Sequence, residues 1–308
     1  MRYIASDKLK FHPRNVAEFI ETGFSSPISA QFQITNRCRF RCVYCDKILN
    51  EKESSVTDRM IERMKELGIK SLVLTGGEPV TYSRFAQDIP RLSKEFKLGL
   101  VTTLCEYQPL LETEFQWVKV SMDTVSELLF RQIKRGSGLK DILKNLETLY
   151  TRKQNGMPLG TQIVLTKMNN AKADLVKFIE RVADICDYIQ IRPIESVEPY
   201  VYDQADYDFI KQLKETYNKV TISDKFFLNQ KPKSCPSRWC QFLITGDHDV
   251  MLCCNRDKEK IGSLYDPDLL EKSKNFVVDC DQCYHSCVMA GNNHYLAGIL
   301  TGKHKEFV

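Results

Sequence analysis

Three cysteines, Cys38, Cys42 and Cys45, fall close together with three and then two residues between them. A loop wound this tightly can aim three thiolates at one point, as cuboidal iron-sulfur clusters require. A four-iron cluster held by only three thiolates keeps one iron open, and an open coordination position separates a catalytic metal centre from a closed structural one. From this spacing alone, a zinc knuckle with its fourth ligand elsewhere is the alternative. A second motif follows, Leu74-Thr75-Gly76-Gly77-Glu78-Pro79. Its glycines let the backbone approach a ligand closely, and Glu78 presents a carboxylate suited to an ammonium group. The plain alternative is a left-handed turn ahead of a helix. Cys105 and Cys186 stand alone, and seven more cysteines lie between Cys235 and Cys287.

The elements that must position these residues alternate along the chain. β-Branched and aromatic runs predict strands at Ser29 to Thr35, Ser71 to Thr75, Leu98 to Thr103, Trp117 to Ser121, Gly160 to Thr166 and Tyr188 to Pro193. Amphipathic runs predict helices at Thr57 to Leu67, Ser83 to Lys94, Ser126 to Lys134, Lys140 to Tyr150, Lys172 to Ile185 and Gln204 to Tyr217. The first shows the period clearly, with Met60, Ile61, Met64 and Leu67 on one face. Alternation of this kind builds a parallel sheet. Six βα units are too few to close an eight-stranded barrel, so an α/β fold with a partial (β/α)6 barrel is expected, its chemistry at the carboxyl ends of the strands. The expected division is an N-terminal extension over 1–27, the partial barrel over 28–221, and a small cysteine-rich domain over 222–308, where the alternation stops.

Composition narrows the class. The 308 residues are 43% hydrophobic and 27% charged, which is ordinary for a globular chain and excludes disorder, fibrous repeats and a disulfide miniprotein. The net charge of +4 comes without a concentrated basic stretch, so nucleic acid is not an expected partner. Met1 to Lys10 is polar and charged, without the apolar core of a secretory signal, and no apolar run approaches the ~20 residues of a membrane span. A cytoplasmic protein with no membrane partner is therefore expected. Reduced cysteines in that compartment read as metal ligands or reactive thiols.

Together the two motifs resemble those of the radical SAM enzymes. Cys38, Cys42 and Cys45 match the family's CxxxCxΦC, with Tyr44 as the aromatic Φ, and Gly76 to Pro79 match its GGEP. The resemblance covers roughly residues 28 to 220. It implies a catalytic [4Fe-4S] cluster whose open iron is chelated by S-adenosylmethionine, with Gly76, Gly77, Glu78 and Pro79 around the methionine ammonium. It also implies a flavodoxin or ferredoxin-type reductant. One-electron cleavage then gives a 5'-deoxyadenosyl radical, which abstracts hydrogen from a substrate carbon. Val120-Ser121-Met-Asp123 and Arg135-Gly136-Ser-Gly138 look like the family's SxDG and RGxG segments. Ser121 and Arg135 would then contact the methionine carboxylate or ribose, and Leu165 would line the adenine pocket. Where many members carry Thr-Asn-Gly after strand three, this chain reads Thr102-Thr103-Leu104-Cys105.

The C-terminal layout looks like the family's twitch domain, a shortened relative of its SPASM domain, with Cys235, Cys253, Cys280 and Cys283 as ligands of an auxiliary [4Fe-4S] cluster. A structural zinc site would use the same four thiols. His248 stands where the family usually has glycine. Cys254, and after it Cys105, are candidate hydrogen-atom donors to a substrate radical. The expected reaction is dehydrogenation or epimerisation at one carbon of a small polar substrate, sugar-like, cyclitol-like or peptidyl. Glu195, Glu198 and Asp203 are candidate general bases for the former. Peptide maturation and glycyl-radical activation are alternatives within the family, and a noncatalytic iron-sulfur or zinc protein is the alternative outside it.

Overall fold

The computed structural model describes residues 8–45, 47–194, 202–223, 226, 235–251, 259–276 and 290–301. The expected Cys253, Cys254, Cys280 and Cys283 lie outside these residues, as do Glu195 and Glu198.

A single ten-stranded sheet organises the chain, in the order β10-β9-β8-β1-β2-β3-β4-β5-β6-β7. Its strands are β1 Ser29–Thr35, β2 Ser71–Gly76, β3 Lys97–Thr102, β4 Trp117–Ser121, β5 Leu159–Leu165, β6 Tyr188–Pro193, β7 Val220–Ile222, β8 Gln241–Ile244, β9 Asp249–Met251 and β10 Lys260–Ser263. Strands β1 to β7 are parallel, as is β8 beside β1, while β9 and β10 run antiparallel. All six expected strands are present. The sequence reading stopped one strand short, because β7 is three residues long and too brief to show a period. Residues 222–308, expected as a separate unit, place three strands on the β1 side of this same sheet.

Helices α1 Pro13–Thr22, α2 Asp58–Glu66, α3 Phe85–Glu95, α4 Glu127–Lys134, α5 Leu139–Arg152, α6 Lys172–Val182, α7 Gln204–Thr216, α8 Leu269–Asn275 and α9 Ala290–Thr301 complete the fold. Helix α2 starts where Thr57 accepts a hydrogen bond from the Met60 amide, a side-chain cap on an otherwise orphan donor. Its apolar face, Met60, Ile61 and Met64, is buried. Alternate residues of each strand face opposite sides. Phe32, Leu74, Leu100, Val120, Ile163 and Ile191 join the helices in one hydrophobic core. The other set, including Gln31, Val73, Val101, Lys119, Gln162 and Gln190, lines a common cavity of about 690 Å³. Residues from β1 and β7 both reach it, so the sheet curls into a partial barrel around a lumen of mixed polar and apolar lining. A second core of Leu9, Val16, Phe19, Ile28, Trp239, Cys240 and Leu296 joins α1, the 235–240 segment and α9.

Candidate functional site

Cys38, Cys42, Tyr44 and Cys45 all line the lumen on the loop that leaves β1, together with Gly76, Gly77 and Glu78 from the end of β2 and Ser121 from the end of β4. Eight of the residues singled out by the sequence therefore meet at the carboxyl ends of three strands. The two motifs are bonded to each other through their backbones: the Gly77 amide donates to the Thr35 carbonyl and the Glu78 amide to the Arg37 carbonyl, each at 2.7 Å. A Cβ on Gly77 would sit 2.2 Å from the Arg37 carbonyl oxygen, and one on Gly76, at φ +130°, 2.2 Å from that of Thr35. The glycines thus serve an approach of backbone to backbone, which sets the cysteine loop in register with the Gly76–Glu78 turn.

The other side of the loop is held by helix α4. The Arg41 amide donates to the Lys134 carbonyl and the Val43 amide to the Ile133 carbonyl, both at 2.9 Å. These bonds satisfy carbonyls at the end of α4 that have no partner within the helix. The chain then turns through Arg135 at φ +51°. A Cβ on Gly136 would meet the Phe40 ring at 2.7 Å, so the glycine makes room for an aromatic residue of the loop. Arg135 itself is exposed and outside the lumen lining, whereas its neighbour Lys134 is buried in it.

Glu78 is 1% exposed. Its carboxylate accepts from the Thr102 hydroxyl, from the Thr103 amide at 2.7 Å and hydroxyl at 2.5 Å, and from the Val80 amide at 3.3 Å. Burial raises its pKa, and the threonine and amide donors partly offset that rise. Four donors fill the acceptor sites of a carboxylate. An incoming ammonium would be met there by threonine hydroxyls able to turn and accept. The departure of this chain from Thr-Asn-Gly after β3 is explained: Thr102 and Thr103 are the clamp on Glu78, and Leu104, in the glycine's place, takes the left-handed conformation at φ +60°. Its carbonyl is fixed by Asn145 at 3.0 Å.

Behind Tyr44 lies a network the sequence reading did not anticipate. Lys134 pairs with Asp123 at 2.7 Å and donates to the Tyr44 hydroxyl at 2.8 Å and the Ser121 hydroxyl at 3.0 Å. Tyr44 donates to the same Asp123 at 2.5 Å, and the Val164 amide holds the other carboxylate oxygen at 2.8 Å. Burial alone would lower the Lys134 pKa. The Asp123 carboxylate opposes that effect and wins, so the ammonium is held well above its ordinary pKa. Tyr44 is pushed up by burial and by Asp123, and stays a phenol. The available signal was position: Lys134 falls four residues after Phe130, on the buried face of an amphipathic helix.

Two of the thiols are held toward their protonated form. Burial raises Cys38, against the Phe40 amide that favours its thiolate, and pushes Cys42 up to about 11. Among the described residues no three His, Cys, Asp or Glu side chains converge as one metal ion needs. The three thiols instead border a common space, and a cuboidal cluster spreads its ligands over separate irons. The donor set and the lumen beside it fit such a cluster with a small ligand above it.

Three expected contacts lie elsewhere. Pro79 is buried at the start of a short 3-10 turn, Pro79–Thr81. Leu165 is buried in the helix-facing core, while its neighbours Gln162 and Val164 face the lumen. Strand alternation explains the difference by one residue. Cys105 is buried in that same core, outside the lumen lining, and its thiol is pushed up to about 12 by burial and by the Glu78 charge. Cys186, expected in the core, is fully buried there. Asp203 is the N-cap of α7 in a reciprocal capping box with Asp206, which commits it to the helix. Cys235 is half-buried against the second core, 3.4 Å from the Asn293 amide nitrogen.

Residues 32–181 match the family model described as the Radical SAM superfamily. Relatives include the GTP 3',8-cyclase of Saccharophagus degradans, 23% identical over 257 residues that cover 73% of this chain and 74% of the relative. A probable GTP 3',8-cyclase of Thermococcus kodakarensis is 23% identical over 92% of both chains. Among solved structures, Streptococcus suis SuiB bound to S-adenosylmethionine aligns with a TM-score of 0.66 at 15% identity, covering 94% of this chain and 78% of that one. The structure of anSMEcpe with bound AdoMet aligns at 0.61 and 16% identity, over 88% of this chain and 96% of that one. These likenesses are of fold.

Proposed function

We propose, on the premise that residues 32–181 are a domain of the Radical SAM superfamily, that this enzyme abstracts a hydrogen atom from a small polar substrate held in the lumen. The carrying observation is the stitching of the three-cysteine loop to the Gly76–Glu78 turn beside a cavity that polar side chains enter from several strands. Cys38, Cys42 and Cys45 would hold a [4Fe-4S] cluster. The cluster and S-adenosylmethionine supply one electron and a 5'-deoxyadenosyl radical.

The protein's part is placement. The backbone of Gly76 and Gly77 and the threonine-clamped Glu78 offer a polar rim for an ammonium group. Ser121, beside Lys134, offers a hydroxyl for a carboxylate or ribose. Gln162, Gln190, Lys119 and Arg192 face the substrate with hydrogen-bonding groups rather than hydrocarbon. Lys119 donates to Gln190 at 3.2 Å and Arg192 to Gln162 at 3.3 Å, so the side chains are braced against one another. A braced polar wall favours a substrate with several hydroxyl, amide or anionic groups.

Dehydrogenation or epimerisation at one carbon is the reading we favour. Cys105 is buried outside the lumen lining, and Cys254 is the thiol we propose as donor for an epimerase. Cys235, Cys253, Cys280 and Cys283 are the ligands we propose for an auxiliary cluster, and a flavodoxin or ferredoxin-type protein is the proposed reductant. Ring formation on a purine nucleotide is a second reading, favoured by relatives named GTP 3',8-cyclase along most of the chain.

The test is anaerobic. The chain is reconstituted, iron and sulfide are counted, and 5'-deoxyadenosine is assayed under dithionite, beside a variant with Cys38, Cys42 and Cys45 all changed to alanine. About eight irons falling to about four, with loss of cleavage, is the expected result. An intact three-cysteine cluster that fails to cleave S-adenosylmethionine would sink the catalytic reading. Retention of four irons beside bound zinc would remove the auxiliary electron acceptor. Turnover of GTP to a cyclic product would select the second reading.

A further inference from the structure

Asp123 and Lys134 form an ion pair whose side chains are 0% and 1% exposed. Such a pair is a poor device for stability, because desolvating two charges costs about as much as their attraction returns. Its location suggests another use. Lys134 lines the lumen and Asp123 does not, so the positive end of the pair faces the cysteine loop. Backbone bonds from Arg41 and Val43 to the carbonyls of Lys134 and Ile133 bracket Cys42 on both sides and tie its backbone to the end of α4 that carries Lys134. Tyr44 and Ser121 tie the ammonium in place through their hydroxyls.

We propose that the Lys134–Asp123 pair sets the reduction potential of the cluster held by Cys38, Cys42 and Cys45, with Lys134 as the positive end that eases its reduction. The inference rests on the cluster assignment made above. Adding an electron makes the centre more negative, so a fixed ammonium nearby stabilises the reduced form and a fixed carboxylate opposes it. Lys134 acts as a positioning residue, since its role is exerted through the loop and its charge.

The experiment is an anaerobic potentiometric titration of the reconstituted protein at fixed pH, followed by the EPR signal of the reduced three-cysteine cluster. Four variants are compared with the parent: Lys134→Met, Asp123→Asn, the double variant, and Lys134→Arg. Removing the ammonium should shift the midpoint to more negative potential. Removing the carboxylate should shift it the opposite way, the double variant should fall between, and arginine should restore the parent value. A merely structural pair would not give shifts of opposite sign.

Shifts of one sign in both single variants, or none in either with full iron content, would overturn the proposal. Should Lys134→Met fail to load iron, Asp123→Asn decides alone: an unchanged or more negative midpoint refutes the role. If the parent itself loads no cluster dependent on Cys38, Cys42 and Cys45, the underlying assignment fails instead. Iron content reports that case separately.

Discussion

At the residue scale, the site depends on polar groups that are buried and fully bonded. Glu78 accepts four hydrogen bonds, three of them from Thr102 and Thr103. Glu78→Gln would turn an amide against donors and leave buried groups unmatched, a cost of about 1–3 kcal/mol. Chemical denaturation of the protein without its cluster should read that loss. His248 gives a pH prediction. Its ring bonds to Ser54 at 3.0 Å and Tyr265 at 2.7 Å, and burial lowers its pKa below the ordinary 6.5. The unfolded chain therefore binds a proton first as pH falls below 6.5, and stability is lost from there down through the lowered value. Melting temperatures measured between pH 7 and 5 should fall, and His248→Asn should flatten that component, since asparagine tolerates the residue's φ of +62°. The positive φ also explains why a glycine would serve there. The sequence disclosed the cysteines and the Gly76–Pro79 turn because their types and spacing are intrinsic to the chemistry. Lys134 and the two threonine hydroxyls on Glu78 stayed hidden, because their partners come from elements far apart in the chain.

At the scale of elements, glycines record where two backbones or a ring and a backbone must touch. Gly77→Ala would force the turn away from Arg37 and break the stitching, so iron uptake should fall sharply while the far-ultraviolet circular dichroism keeps its shape. Inside the strands, a Cβ on Gly160 would lie 2.1 Å from the Tyr188 ring, and one on Gly99 2.3 Å from that of Trp117. Each aromatic residue lies across a glycine on the paired strand, which gives its ring room. Gly160→Ala should destabilise by about 1–3 kcal/mol through overpacking, read as a lower denaturant midpoint with unchanged slope. Strands β1, β4 and β6 were legible to the residue, since β-branched and aromatic residues between turn signals declare themselves. Strand β7 was too short. The placement of Leu165 turns on parity: a strand buried on both faces carries no polar alternation to say which residues look inward, and here Val164 lines the lumen.

At the scale of the whole molecule, two cores do different work. The larger holds the sheet to its helices, and the smaller gathers α1, α9 and the 235–240 segment around Trp239, which is 1% exposed. Trp239→Ala should cost about 3–5 kcal/mol locally. Hydrogen exchange is expected to show α1 and α9 losing protection together while β2 to β5 keep theirs; uniform loss would mean that the two cores are one cooperative unit. The alternation of elements revealed the barrel, but not that the cysteine-rich segment rejoins it, because β8 and β9 are only four and three residues long. That return has a consequence in time. Strand β1, which launches the cysteine loop, lies between β2 and β8, yet β8 ends at Ile244, about two hundred residues later. At a synthesis rate of ~5–20 residues per second, one edge of β1 stays unpaired for roughly 10–40 s while the ribosome works. The first strand of the sheet therefore waits with one edge open until nearly the last one is made.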